Sequence, residues 1–180
     1  MKGEWLFHYG GFTIRDTDGN DVFQVKNHVY SQELYNMEGQ KVAEITRKKM
    51  ASRITYHIYS GSEMTERRAT LNLRHSGLQK KAHVYIYQPP FASREDPTNI
   101  DDMEPDIIIK AKTGNNCPSI GEVEIINKNT GEEYAEISKE KAREVLGETS
   151  SRTFLLTVKS GVDVGFMVMC AVFFNIAVKL

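Results

Sequence analysis

The groups in this chain that could do chemistry are mostly cations. Arg47-Lys48-Lys49, with Arg53 close behind, stand where a strand pattern gives way to a turn. Arg67-Arg68 and Lys80-Lys81 flank other strand patterns. Guanidinium and ammonium groups gathered at a corner can receive phosphate oxygens, such as those of a lipid head group, through charge-assisted hydrogen bonds. The competing reading is that these are solvated strand ends, where lysine protects an edge from further pairing. Arg47, Lys48, Lys49 and Arg53 are the candidate ligand-binding residues, and an anionic lipid is the candidate ligand. The formal net charge of −1 gives no global field that would draw the protein onto nucleic acid, so no nucleic-acid partner is expected.

Other chemistry fails on spacing. Asp16-Thr-Asp-Gly-Asn-Asp21 invites a calcium-loop reading. With Gly19 at the sixth loop position, however, Ile14 and Val25 fall where an EF-hand needs oxygen ligands. His8, His28, His57, His75 and His83 lack metal-ligand spacing, and His8, His57 and His83 lie in strand patterns. No G-x-S-x-G, P-loop or G-x-G-x-x-G is present. The expectation is a protein with no catalytic residues, no metal site and no cofactor, and hence not an enzyme. The acidic, proline-rich stretch 89–106 holds four of the five prolines and is expected to be a long mobile loop. Solvation is its plainest role, with loose cation binding as the rival.

The elements that must position these residues are short strands. The runs 12–16, 21–26, 29–35, 41–47, 53–59, 67–74, 81–88, 106–112, 120–127, 132–138 and 152–159 alternate or are densely apolar, and another strand falls near 5–9. That makes about twelve, at the spacing of a sandwich or barrel. Asp16-Thr-Asp-Gly19, Asn36-Met-Glu-Gly39 and Lys128-Asn-Thr-Gly131 open three similar units. In each, apolar residues follow the glycine at the third and sixth positions: Val22 and Val25, Val42 and Ile45, Tyr134 and Ile137. These units read as repeated hairpins. Residues 139–146 are helix formers, with Ser138 as N-cap and Gly147 as stop.

The C-terminal run is different in kind. Asp163 precedes residues 164–178, of which only Asn175 is polar. A helix that is apolar all round is buried or in a membrane. Fifteen residues rise roughly 22 Å, short of the ~30 Å hydrocarbon core. The expectation is a buried helix over 163–178 with Asp163 at its N-cap, enclosed by a closed antiparallel barrel of about twelve strands. The whole chain, 1–180, is expected to be a single mainly β (α+β) domain, a length that can bury a core. The two cysteines, Cys117 and Cys170, form no disulfide framework, and no apolar signal segment opens the chain. An intracellular, cytoplasmic protein follows as expectation, with peripheral attachment to the plasma membrane under the lipid reading; a nuclear location stays open.

Three stretches together carry a family resemblance: FTIRDTDGNDVFQV, LYNMEGQKVAEITRKKMASRITYHIY, and the closing YAEISKEKAREVLGETSSRTFLLTVKSGVDVGFMVMCAVFFNIAV. In this order they resemble the LURP-one-related family, within the tubby C-terminal-like superfamily that also includes phospholipid scramblases. The family is similar in its D-x-x-G-N hairpin, its basic corner, and its closing strand, corner and apolar helix. The corner here is Ser160-Gly161-Val162-Asp163, without the family's proline. The resemblance implies a twelve-stranded barrel around a central C-terminal helix. It also implies an affinity for phosphoinositides, since tubby-like domains bind them. It transfers no individual site residue. The rival functions are a protein-interaction or regulatory scaffold, with loop 89–106 or a strand edge as its contact surface, and a scramblase-like membrane protein anchored by the C-terminal run.

Overall fold

The computed structural model describes residues 3–8, 12–16, 18–48, 54–60, 66–76, 79–86, 104–111, 122–138, 141, 144 and 153–179. Among them run twelve strands and one long helix. The strands are β1 (Gly3–His8), β2 (Phe12–Asp16), β3 (Asp21–Asn27), β4 (Ser31–Asn36), β5 (Lys41–Arg47) and β6 (Thr55–Ser60). They continue with β7 (Glu66–Ser76), β8 (Gln79–Ile86), β9 (Ile107–Ala111), β10 (Glu122–Asn127), β11 (Glu133–Ser138) and β12 (Thr153–Val158). The helix, α1, is Val164–Lys179. Each strand pairs antiparallel with the next in the chain, in one sheet. β1 pairs along its length with β12, from Gly3↔Val158 to His8↔Thr153, and through Trp5 and Leu6 with β2. The sheet is mainly β with a C-terminal helix, as the sequence pattern predicts.

Alternation decides which face each residue takes. Ile14 and Leu34 of β2 and β4, Ile45 of β5, Leu71 of β7 and Ile109 and Ile125 of β9 and β10 are fully buried. With the inward residues of the other strands from β2 to β12 they join one cluster with α1. The helix packs on β5 and β12, which are far apart in the pairing order. Met167 to Phe174, more than two turns, are all at most 2% exposed. Consecutive residues point all round a helix, so partners must surround it. The Phe173 ring meets Tyr56 of β6 edge to face, with centroids 5.3 Å apart. Asp163 caps the helix: its Oδ1 accepts the Phe166 N–H at 3.0 Å. Burial pushes the Cys170 thiol well above the ordinary range for cysteine. No helix of the described residues is long and apolar enough to cross a membrane.

The three repeated units share a hairpin. In β2–β3, the Asp16 carboxylate accepts the N–H groups of Asp18 at 3.0 Å and Asn20 at 2.8 Å. In β4–β5, Asn36 Oδ1 accepts the Gln40 N–H at 2.8 Å. Gly19 and Gly39 sit at φ 86° and 79°, where a Cβ is strained. The third unit differs from the sequence alignment. Its capping side chain is Asn127, one residue before Lys128, and it holds the N–H groups of Asn129 and Thr130. In all three the register slips by one residue beside the turn: after Ile14, Leu34 and Ile125. The residue taken up by each bulge is Val22, Val42 or Tyr134, the first apolar position of the repeat.

Two expectations need adjusting. The loop drawn to residue 106 ends earlier, because Pro105 is buried and Asp106 is built into the sheet. The Asp106 N–H donates to Val84 O at 3.0 Å, and its carboxylate accepts the Ile86 N–H at 2.7 Å. Residues 89–103 lie outside the described residues. Of the expected helix 139–146, Lys141 and Glu144 are helical and the remainder lies outside them.

Candidate functional site

Antiparallel order sorts the connections to two ends. The β2–β3, β4–β5 and β10–β11 turns lie at one, with the start of α1; call it the glycine-turn end. The β3–β4, β5–β6 and β7–β8 connections lie at the other, the basic end. The glycine-turn end carries Asp16, Asp18, Asp21, Glu38, Glu66, Glu104, Asp106, Glu132, Glu133 and Asp163, against Arg15, Lys41, Arg67, Arg68, Lys128 and Lys159. Lys159 is bonded to Glu132 there.

Of the four nominated residues, Arg47 and Lys48 are described, and both are exposed at the basic end. Lys49 and Arg53 lie outside the described residues. The Arg47 N–H donates to Tyr30 O at 2.9 Å, and the Lys48 N–H to Thr55 O at 2.9 Å. These bonds fix the corner between the β3–β4 turn and β6.

Strand register adds cations that lie far away in sequence. Arg74 of β7 stands opposite Lys81 of β8, and Lys81 opposite Lys110 of β9. Their chain neighbours Leu73, Ala82 and Ile109 are buried in the core, so these three side chains stand on the outer face. Directly opposed residues have Cβ atoms roughly 5 Å apart, and like charges there repel. Lys110 is relieved by Glu124 at 2.9 Å. Below the row, His83 faces the same way, half-buried; burial first, then Arg74 and Lys81, push its pKa down. Thr55 and Asn72 continue that level across β6 and β7, joined by a 2.6 Å hydrogen bond, and His57 bonds Thr70 at 2.9 Å one level further in. The result is a row of three half-buried cations on the outward side of β7–β9, next to buried Asn72 and Thr70 and beside the Arg47–Lys48 corner.

Arg74 and Lys110 were not candidates in the sequence. The alternation of TLNLRH and IIIKA marks each as outward-facing, but only the pairing register makes them neighbours. Arg67 and Arg68, grouped with the others by composition, lie at the glycine-turn end of β7.

The nearby carboxylate is drawn away from the corner. Burial raises the Glu33 pKa, but hydrogen bonds from Lys41, Tyr35 and His28 outweigh it and hold the carboxyl at about 2. Lys41 Nζ lies 3.0 Å from Glu33 and 3.1 Å from Glu44. A pocket of ≈ 220 Å³ lined by Glu132–Ala135, Thr157 and Lys159 lies at the glycine-turn end, not beside the cations. Among the described residues no group of three or more His, Cys, Asp or Glu is placed to hold a metal ion.

The LURP-one-related family model matches residues 1–175. An X-ray structure of a protein from Arabidopsis thaliana is similar, with a TM-score of 0.64 at 15% identity over 97% of this chain and 90% of that one. At that identity the likeness shows the fold. No curated protein sequence matches significantly.

Proposed function

The chain belongs to the LURP-one-related family, and from that premise we propose that it is a non-enzymatic tubby-like domain that binds an anionic lipid head group, a phosphoinositide, at the cytoplasmic surface of the plasma membrane. The observation that carries the reading is the cation row Arg74–Lys81–Lys110, set beside exposed Arg47 and Lys48 at one end of the sheet. Cations brought side by side on neighbouring strands can receive a phosphate that bridges two of them. We read the sheet as a closed barrel, supported by the pairing of β1 with both β2 and β12. In this reading α1 is an internal strut and holds no membrane, which argues against the scramblase-like alternative.

Flotation with vesicles containing phosphatidylinositol bisphosphate tests the proposal. Wild-type protein floats with them and stays behind with neutral vesicles. Arg74→Glu/Lys81→Glu weakens binding by roughly 30-fold or more, from ~1 kcal/mol for each cation lost near the surface. Equal recovery on neutral and anionic vesicles contradicts it.

A further inference from the structure

Among the described residues the large apolar side chains left exposed are Val29, Tyr30 and Met37. Val29 is 87% and Tyr30 55% exposed, side by side in the β3–β4 turn. That turn is closed by the His28 N–H donating to Ser31 O at 2.8 Å, which leaves Val29 at its tip. The bond from Arg47 N–H to Tyr30 O ties the same turn to the basic corner. An aliphatic tip, an adjacent tyrosine and two exposed cations thus project together from the end that carries the Arg74–Lys81 row.

Each of these groups suits a different depth of an anionic bilayer. Cations sit at the phosphates, tyrosine favours the interface between head groups and chains, and an aliphatic side chain gains by leaving water. A protein partner would also cover Val29, but an anionic membrane satisfies the cations and the apolar tip in one plane. Met37, at the glycine-turn end among carboxylates, has no such company.

We propose that the β3–β4 turn is a membrane-insertion tip: Val29 enters the acyl region of an anionic bilayer, Tyr30 lies at its interface, and Arg47 and Lys48 rest on the phosphates. The proposal rests on the lipid-binding reading and adds a depth and an orientation to it. The basic end faces the bilayer, the axis of the sheet stands toward it, and the glycine-turn end points away.

Two measurements on the full chain test it with vesicles of phosphatidylcholine containing phosphatidylserine or phosphatidylinositol bisphosphate. In flotation, Val29→Asp lowers binding about tenfold, and Met37→Asp leaves it unchanged. In a Trp5→Phe background, Val29→Trp emission shifts to the blue on binding and is quenched by bilayers with brominated acyl chains relative to the same vesicles without bromine. Far-UV circular dichroism checks the folding of each variant. If Val29→Asp floats like wild type and Val29→Trp is not quenched, while Arg47→Glu/Lys48→Glu still releases the protein, head-group binding stands and insertion is wrong. If wild-type protein binds neither vesicle, both readings fall. Capture by anionic vesicles at equal strength with and without Val29 assigns the exposed tip to another partner and overturns the proposal.

Discussion

The two ends of the sheet are made from the same strands yet solve different problems. At the glycine-turn end, local chemistry closes the chain: Asp16 and Asn36 hold backbone N–H groups, glycine takes positive φ, and one bulge per hairpin absorbs the odd residue. At the basic end, side chains of one charge are brought together by pairing between strands, and the turn that joins β3 to β4 exposes an apolar tip. One end spends its polar groups on itself. The other pairs some of them, as Lys110 with Glu124 and Thr55 with Asn72, and sets Arg47 and Lys48 exposed beside them. The difference teaches that one end is set by residues close in sequence and the other by register between strands.

The largest effect expected is one that destroys both ends. Phe173 is fully buried against Tyr56, so Phe173→Asp places a charge in the core and abolishes the folded state, and Phe173→Ala costs about 3–5 kcal/mol. Thermal unfolding measures this, and an unchanged Tm for Phe173→Asp would remove the helix from the core. Next, the ends should separate in binding. Arg47→Glu/Lys48→Glu keeps the Tm and loses anionic vesicles. Lys128→Glu/Lys159→Glu, at the opposite end, stays folded by thermal unfolding and binds anionic vesicles within a few-fold of wild type; an equal loss of binding would erase the distinction.

Smaller effects probe each end's own construction. Gly39→Ala strains the β4–β5 turn and costs roughly 1 kcal/mol in chemical denaturation with no change in vesicle binding. Glu33 gives a pH signature. Its folded pKa of about 2 lies below the ordinary value of 4.5. Its stabilising contribution is therefore present above pH 4.5 and is lost as the pH falls toward 2. Glu33→Gln lowers stability at pH 7 by about 1 kcal/mol after solvent screening, and the difference shrinks between pH 4.5 and 2. A pH-independent difference would show that the carboxyl's charge is not what Lys41, Tyr35 and His28 hold.

How much of this was legible in the sequence follows the same division. The strands, the apolar helix with its Asp163 cap and the repeated hairpins could be read, because each is set by residues within a few positions of one another. The exception proves the mechanism: Asn127, not Lys128, caps the third turn, since a side chain that can accept two N–H groups outranks alignment to the glycine. Arg47 and Lys48 were visible as a run. The Arg74–Lys81–Lys110 row was not, because it exists only through register between β7, β8 and β9. Pro105 read as loop by composition, yet it is buried, and Asp106, which fell in both the loop and the 106–112 strand run, holds the Ile86 N–H at the close of β8. Val29 was counted as the start of a strand, and its exposure depends on where the β3–β4 turn closes.

The central claim is that the basic end binds anionic lipid. The measurement that tests it most directly is flotation of wild type and Arg74→Glu/Lys81→Glu on vesicles with and without phosphatidylinositol bisphosphate, with Tm recorded in parallel. The account predicts that the variant keeps its Tm and loses binding by roughly 30-fold or more. A variant that keeps its Tm and binds as wild type does would contradict it.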